Sequence, residues 1–89
     1  METQWIDIYG PITSMPWTAE EVSSKQVVDA LARANGEPVE IHINCFGGEV
    51  FEGLAIANAL RGYKGETVAI IDSVAASAAT LVALGCSTV

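Results

Sequence analysis

Between Pro38 and Cys45 the chain alternates cleanly. Val39, Ile41, Ile43 and Cys45 fall on one side, and Glu40, His42 and Asn44 on the other. A period of two marks a strand with one buried face, and Gly47-Gly48 ends it. Trp5 to Gly10 alternates in part and stops at Gly10-Pro11, which predicts a shorter strand followed by a turn. Thr67-Val68-Ala69-Ile70-Ile71 is a continuous apolar run, the pattern of a strand buried on both faces. Three stretches instead carry helical spacing. Thr18-Ala19-Glu20-Glu21 has the form of a capping box. Behind it Val22, Val27, Val28, Leu31 and Ala34 form a stripe that Asn35-Gly36 closes, predicting a helix over 18–34. Val50, Leu54, Ala57 and Ala59-Leu60 continue helically to Gly62, and Ser77–Leu84 is a small-residue helix closed by Gly85.

The order is strand, helix, strand, helix, strand, helix. Such alternation predicts an α/β fold with a parallel sheet and right-handed crossovers. No repeat, linker or low-complexity tract interrupts it. Cys86-Ser87-Thr88-Val89 reads as the start of another strand, so residues 1–89 are expected to form a single, partial domain.

Composition narrows the function classes. The 89 residues are 51% hydrophobic, which excludes intrinsic disorder. Four Lys and Arg stand against eleven Asp and Glu, a net charge of −7. So few cations cannot build a phosphate-neutralising patch, so no nucleic-acid partner is expected, and an anionic membrane is disfavoured for the same reason. Met1–Gly10 lacks the basic start and apolar run of a signal peptide, and Val74–Gly85 is too short to span a bilayer. Cys45 and Cys86 match neither a disulfide framework nor a zinc pattern; they read as small buried hydrophobes in a reducing cytoplasm.

Two segments could carry chemistry. Asn44-Cys45-Phe46-Gly47-Gly48-Glu49-Val50 runs from a strand through a Gly-Gly turn into a helix. Paired glycines allow a sharp turn and close approach of a ligand to main-chain N–H groups, which suits an oxyanion donor. Without a Gly-Lys-Ser/Thr it is not a P-loop, and alone it is also what a plain strand-to-helix turn looks like. Asp72-Ser73-Val74-Ala75-Ala76-Ser77-Ala78-Ala79 sets a hydroxyl between alanines where a strand meets a helix. There the helix field favours negative charge on Oγ, although Ser77 alone also reads as an N-cap. No Gly-x-Ser-x-Gly elbow is present, so an ordinary α/β-hydrolase is excluded.

His42 is the sole histidine. It stands about five residues, roughly 17 Å of extended chain, before the oxyanion turn and is read as a half-exposed strand residue rather than a base for Ser77. Glu49 and Glu52 read as solvated first-turn charges that complement the helix dipole, and Asp72 as a residue that could hold the loop beside the serine.

Taken together, Ile43-Asn44-Cys45-Phe46-Gly47-Gly48-Glu49-Val50, Gly53-Leu54-Ala55-Ile56 and Ala75-Ala76-Ser77-Ala78-Ala79 resemble the Clp protease proteolytic-subunit (ClpP) family. The double-alanine serine followed by Leu81-Val82-Ala83-Leu84-Gly85 is most similar to the phage branch, the Clp-like head-maturation (prohead) proteases. The resemblance implies a ClpP/crotonase-like fold and a self-assembling, cytoplasmic serine endopeptidase of a bacterial host or phage. It implies Ser77 as nucleophile and the N–H groups of Gly48 and Ala78 as the oxyanion hole. Gly48-Glu49-Val50 would be the edge on which a protein or peptide substrate adds as a strand. No metal or organic cofactor is implied. The partners implied are further copies of the chain, capsid or scaffold proteins, and a AAA+ unfoldase.

The family's histidine and aspartate lie downstream of its serine, and none follows here before Val89. The 89 residues are therefore expected to be an inactive N-terminal piece, because a serine hydroxyl without an adjacent base is a weak nucleophile. A non-catalytic assembly module with the same fold is the alternative. A crotonase-type acyl-CoA enzyme is a weaker one, disfavoured by the serine in its double-alanine setting.

Overall fold

A computed structural model describes residues 3–15, 21–45 and 47–88. Its elements are β1 (Gln4–Ile8), α1 (Ser24–Ala34), β2 (Val39–Cys45), α2 (Val50–Gly62), β3 (Thr67–Ala75) and α3 (Ala78–Gly85). The strands form one parallel sheet in the order β1-β2-β3. Because the order is monotonic, two right-handed crossovers place α1 and α2 on the same face. Ile8, Val39, Ile41, Ile43 and Cys45 are buried there with Val27, Leu31, Ile56, Leu60 and Val82. β2 keeps strict alternation, its four apolar residues buried and Glu40, His42 and Asn44 half-buried.

β3 departs from the expectation of a strand buried on both faces. Thr67 and Ala69 are buried, Val68 and Ile70 are half-buried, and Ile71 is exposed. The strand also runs to Ala75, past the apolar run that marked it. Its pairing with β2 slips between Ile43–Ile71 and Cys45–Ala75, so four steps along β3 match two along β2. Residues after α3 return to the sheet: Thr88 pairs with Val68, and Ser87 exchanges hydrogen bonds with the buried Thr67, from Ser87 N to Oγ1 (2.8 Å) and from Thr67 N to Oγ (2.8 Å).

The first helix starts later than its pattern suggested. Thr18 of the expected capping box lies outside the described residues. Among the described residues a capping box is formed by Ser23 with Gln26: Ser23 Oγ accepts from Gln26 N and Gln26 Oε1 accepts from Ser23 N. Val22 is buried, yet as an extended residue bridged to Ile12. Val28 leaves the predicted stripe and is exposed. Asn35 closes the helix in the left-handed conformation at φ 50°.

α2 buries Gly53, Ile56, Ala57 and Leu60, whereas Val50 and Leu54 are exposed. Its small residues receive α3. A Cβ on Gly53 would stand 2.9 Å from Ala78 Cβ, and one on Gly85 would stand 2.7 Å from Ala57 Cα. Cys45 and Cys86 are buried free thiols, in keeping with their reading as small hydrophobes.

Candidate active site

The slip in β3 sets the site. After Ala75 the Ala76 N–H donates to Cys45 C=O (3.2 Å), which ties the end of β3 to the end of β2 just before the Gly-Gly turn. The two candidate motifs, some 30 residues apart in sequence, therefore meet. A Cβ on Gly47 would lie 2.8 Å from Ser77 Cβ, 2.9 Å from Ala76 O and 3.1 Å from Ala78 N. Gly47 also has φ +117°, a conformation closed to other residues, so space and backbone demand glycine independently.

Ser77 itself is held at φ 53°, ψ −123°. For a residue with a Cβ this conformation costs about 1–3 kcal/mol. It occupies the N-cap position of α3, yet its side chain makes no cap hydrogen bond. Its carbonyl is used instead, accepting from Thr80 N (3.0 Å). The ordinary role of a serine at a helix start is thus not performed, and the exposed hydroxyl is left over at the positive end of α3. Ala78, beside it, is fully buried against α2 and supplies an N–H of the first helical turn.

Gly48 is placed by a short piece of sheet. Ile12 N donates to Gly47 O (3.1 Å) and Glu49 N donates to Ile12 O (2.9 Å), while Ile12 pairs on its other side with Val22. In a parallel ladder these bonds flank Gly48, so its own N–H and C=O point to the opposite edge. A Cβ on Gly48 would lie 2.2 Å from Ile12 O. Glu49 is still extended (φ −67°, ψ 123°), and Val50 already opens α2.

Glu52 stands in the first turn of α2 and Glu49 is solvent-exposed, but both carboxylates also bind other segments. Glu49 accepts from Thr13 Oγ1 (2.7 Å), Ser14 Oγ (3.1 Å) and Ser14 N (3.3 Å). These bonds, chiefly that from Thr13, lower its carboxyl pKa below the ordinary value. Glu52 accepts from Ser24 N (2.6 Å), so a side chain of α2 satisfies an orphan donor of α1. Both contacts join segments far apart in sequence, which helical spacing alone does not reveal.

His42 stands elsewhere. Its ring stacks on Trp5 with centroids 4.6 Å apart, Nε2 lies 3.0 Å from Glu40 Oε1, and Nδ1 lies 3.6 Å from Asp72 Oδ2. The Tyr9 hydroxyl donates to the same Asp72 carboxylate, and this bond raises the Tyr9 pKa. Asp72 thus joins β3 to β2 and to Tyr9, just past the end of β1, on the sheet face opposite the helices. Both nitrogens of His42 face carboxylates there, which fits its reading as a strand residue and not as a base for Ser77. Among the described residues no group of three His, Cys, Asp or Glu could hold a metal ion, and no helix is long and apolar enough to cross a membrane.

The three-stranded parallel sheet with its crossover helices has the ClpP-like fold. Two solved structures share it: a point mutant of ClpP1 from Listeria monocytogenes (23% identity, TM-score 0.79, covering 93% of this chain and 46% of that one) and ClpP1 from the same organism (24%, 0.76, 92% and 46%). The Clp protease family model matches residues 1–89, and the chain belongs to that family. No curated protein matches it. The chain spans about half the length of these solved neighbours.

Proposed function

We infer that the chain supplies the nucleophile and oxyanion hole of a serine endopeptidase. The observation that carries this is Ser77: strained, uncapped, exposed, and packed against Gly47. Ser77 Oγ attacks the scissile carbonyl, and the N–H groups of Gly48 and Ala78 receive the developing oxyanion. A histidine base takes the Oγ proton and returns it to the leaving amine; water then hydrolyses the acyl-enzyme. His42 is engaged on the far face, so we place that base in the further half of the domain that the longer neighbours possess. The substrate is a protein or peptide strand added along Gly48 and Glu49, reaching Val50 at the start of α2.

The double-alanine serine and the small-residue helix behind it favour a phage head-maturation protease acting on capsid or scaffold proteins in the host cytoplasm, with a AAA+ unfoldase as the alternative source of substrate. Homo-oligomeric assembly accords with the outer face of α2, where Phe51 is 87% exposed beside Val50 and Leu54.

Fluorophosphonate labelling tests the reading. The full-length protein should label at a single residue and lose the label in Ser77→Ala, and the 89-residue chain alone should label feebly. Labelling of the full-length protein that survives Ser77→Ala overturns the assignment.

A further inference from the structure

Glu49 is a weak choice for an N-cap, and its side chain makes no cap bond to α2. Its carboxylate reaches the other way, across to the segment after Pro11. Both oxygens are used there: Oε2 by Thr13 Oγ1 and Ser14 N, Oε1 by Ser14 Oγ. Thr13 Oγ1 in turn accepts from Met15 N (3.2 Å), so the turn is closed around the carboxylate. The same segment is held from behind by Thr13 N to Val22 O (2.8 Å) and Val22 N to Pro11 O (2.8 Å). Ile12, between these anchors, is the strand that backs Gly48.

We propose that Glu49 is a positioning residue for the substrate strand: by clamping Thr13 and Ser14 it keeps Ile12 paired with Gly48, and so keeps the opposite edge of Gly48 straight for an incoming peptide. This rests on the serine-peptidase reading. A peptide that adds to a sheet edge gains affinity only if the edge is already formed, since otherwise binding must pay for ordering it. The Gly-Gly turn is backbone with few side-chain contacts of its own, and charge-assisted bonds are the stronger kind available to fix it. Ser77 is held by other contacts, with Gly47 directly and with α2 through its neighbour Ala78, so loss of the clamp should affect strand binding before it affects the nucleophile.

The test compares Glu49→Ala and the Thr13→Val/Ser14→Ala double variant with the parent, all as full-length protein. Fluorophosphonate labelling at Ser77 needs no strand addition, whereas turnover of an extended fluorogenic peptide does. Labelling should stay within about twofold while the peptide KM rises about tenfold with kcat little changed. Combining all three substitutions should add nothing, because one clamp is removed either way. Amide exchange at Ile12 and Glu49 should quicken in each variant, a readout that requires no activity. An unchanged KM with labelling intact overturns the inference alone, and so does a parallel fall in labelling and kcat. A parent protein that never labels overturns the peptidase reading, and this inference with it.

Discussion

On one side α2 meets α3 through Gly53 and Ala57; on the other it meets α1 across Val28, Leu31, Ala59 and Tyr63. The first contact is backbone against backbone, with Ala78 and Gly85 pressed onto the helix. The second leaves a groove of about 440 Å3, lined also by Ala32, Asn35 and Gly36. Close-packed contacts transmit any added atom, whereas an open groove absorbs it. The helix that presents Ser77 and Ala78 thus sits on the rigid side, and its place is set by the absence of side chains.

The largest effect expected from breaking the rigid side is at the Gly-Gly turn. Gly48→Ala puts a methyl within 2.2 Å of Ile12 O and 2.7 Å of Ile12 N, both backbone atoms that cannot swing away. We expect a loss on the order of 3 kcal/mol or more in urea unfolding, together with loss of Ser77 labelling. A variant as stable as the parent would show that Ile12 does not back the turn.

Next in size is a matched pair on α2's two sides. Gly53→Val should push Ala78 outward and cost about 1–3 kcal/mol. Ala32→Leu, which only extends into the groove, should stay within about 0.5 kcal/mol of the parent. Equal effects at the two sites would erase the distinction between the two contacts.

The same contrast explains what was legible in the sequence. All six elements could be read, because period-two and period-3.6 patterns report on large apolar residues, and those form most of the core. The α2–α3 contact is made of Gly and Ala, which carry little pattern, so Ala57 and Leu60 were expected inside and are, but Val50 and Leu54 were expected there where Gly53 and Ile56 are found. The start of α1 was legible in principle as Ser23-x-x-Gln26, but Thr18-x-x-Glu21 offers the same signature five residues earlier. Val22, paired with Ile12 in extended chain, precedes the helix, so α1 opens at the later signature. Ser77 and the Gly-Gly turn were readable as separate motifs and through a family resemblance. That they touch follows from the slipped pairing of β3, and nothing local encodes a slip. The Glu49 and Glu52 contacts and the Trp5, Tyr9, His42 and Asp72 cluster were missed for a like reason: each joins separate elements across the sheet or between helices.

A smaller effect should appear at Ser77 itself. Glycine adopts φ 53°, ψ −123° without the Cβ penalty, so Ser77→Gly should relieve strain. Set against glycine's larger entropy loss, the expected gain is about 1 kcal/mol, or roughly 5 °C in Tm, while labelling is abolished. Destabilisation instead would mean that the serine hydroxyl supports the fold.

The smallest effects are protonic, and they separate the helix-side site from the opposite sheet face by pH. The Glu49 pKa is lowered from its ordinary 4.5 by the Thr13 and Ser14 donors, so the folded chain favours the carboxylate. Its contribution is complete above 4.5 and is lost as pH falls through the lowered folded value. The Tyr9 pKa is raised from 10.0, first by donation to Asp72, so the folded chain favours the protonated phenol. That contribution is complete below 10.0 and is lost as pH rises through the raised value. Both groups are solvent-exposed, so the changes should be local loosening and not global unfolding. Amide exchange, corrected for intrinsic rates, should quicken at Ser14 on the acid side and at Asp72 and its neighbours on the alkaline side. Glu49→Gln should remove the acid limb and Tyr9→Phe the alkaline one. Should Glu49→Gln retain the acid limb at Ser14, another carboxylate holds that turn, and the clamp would have to be reassigned.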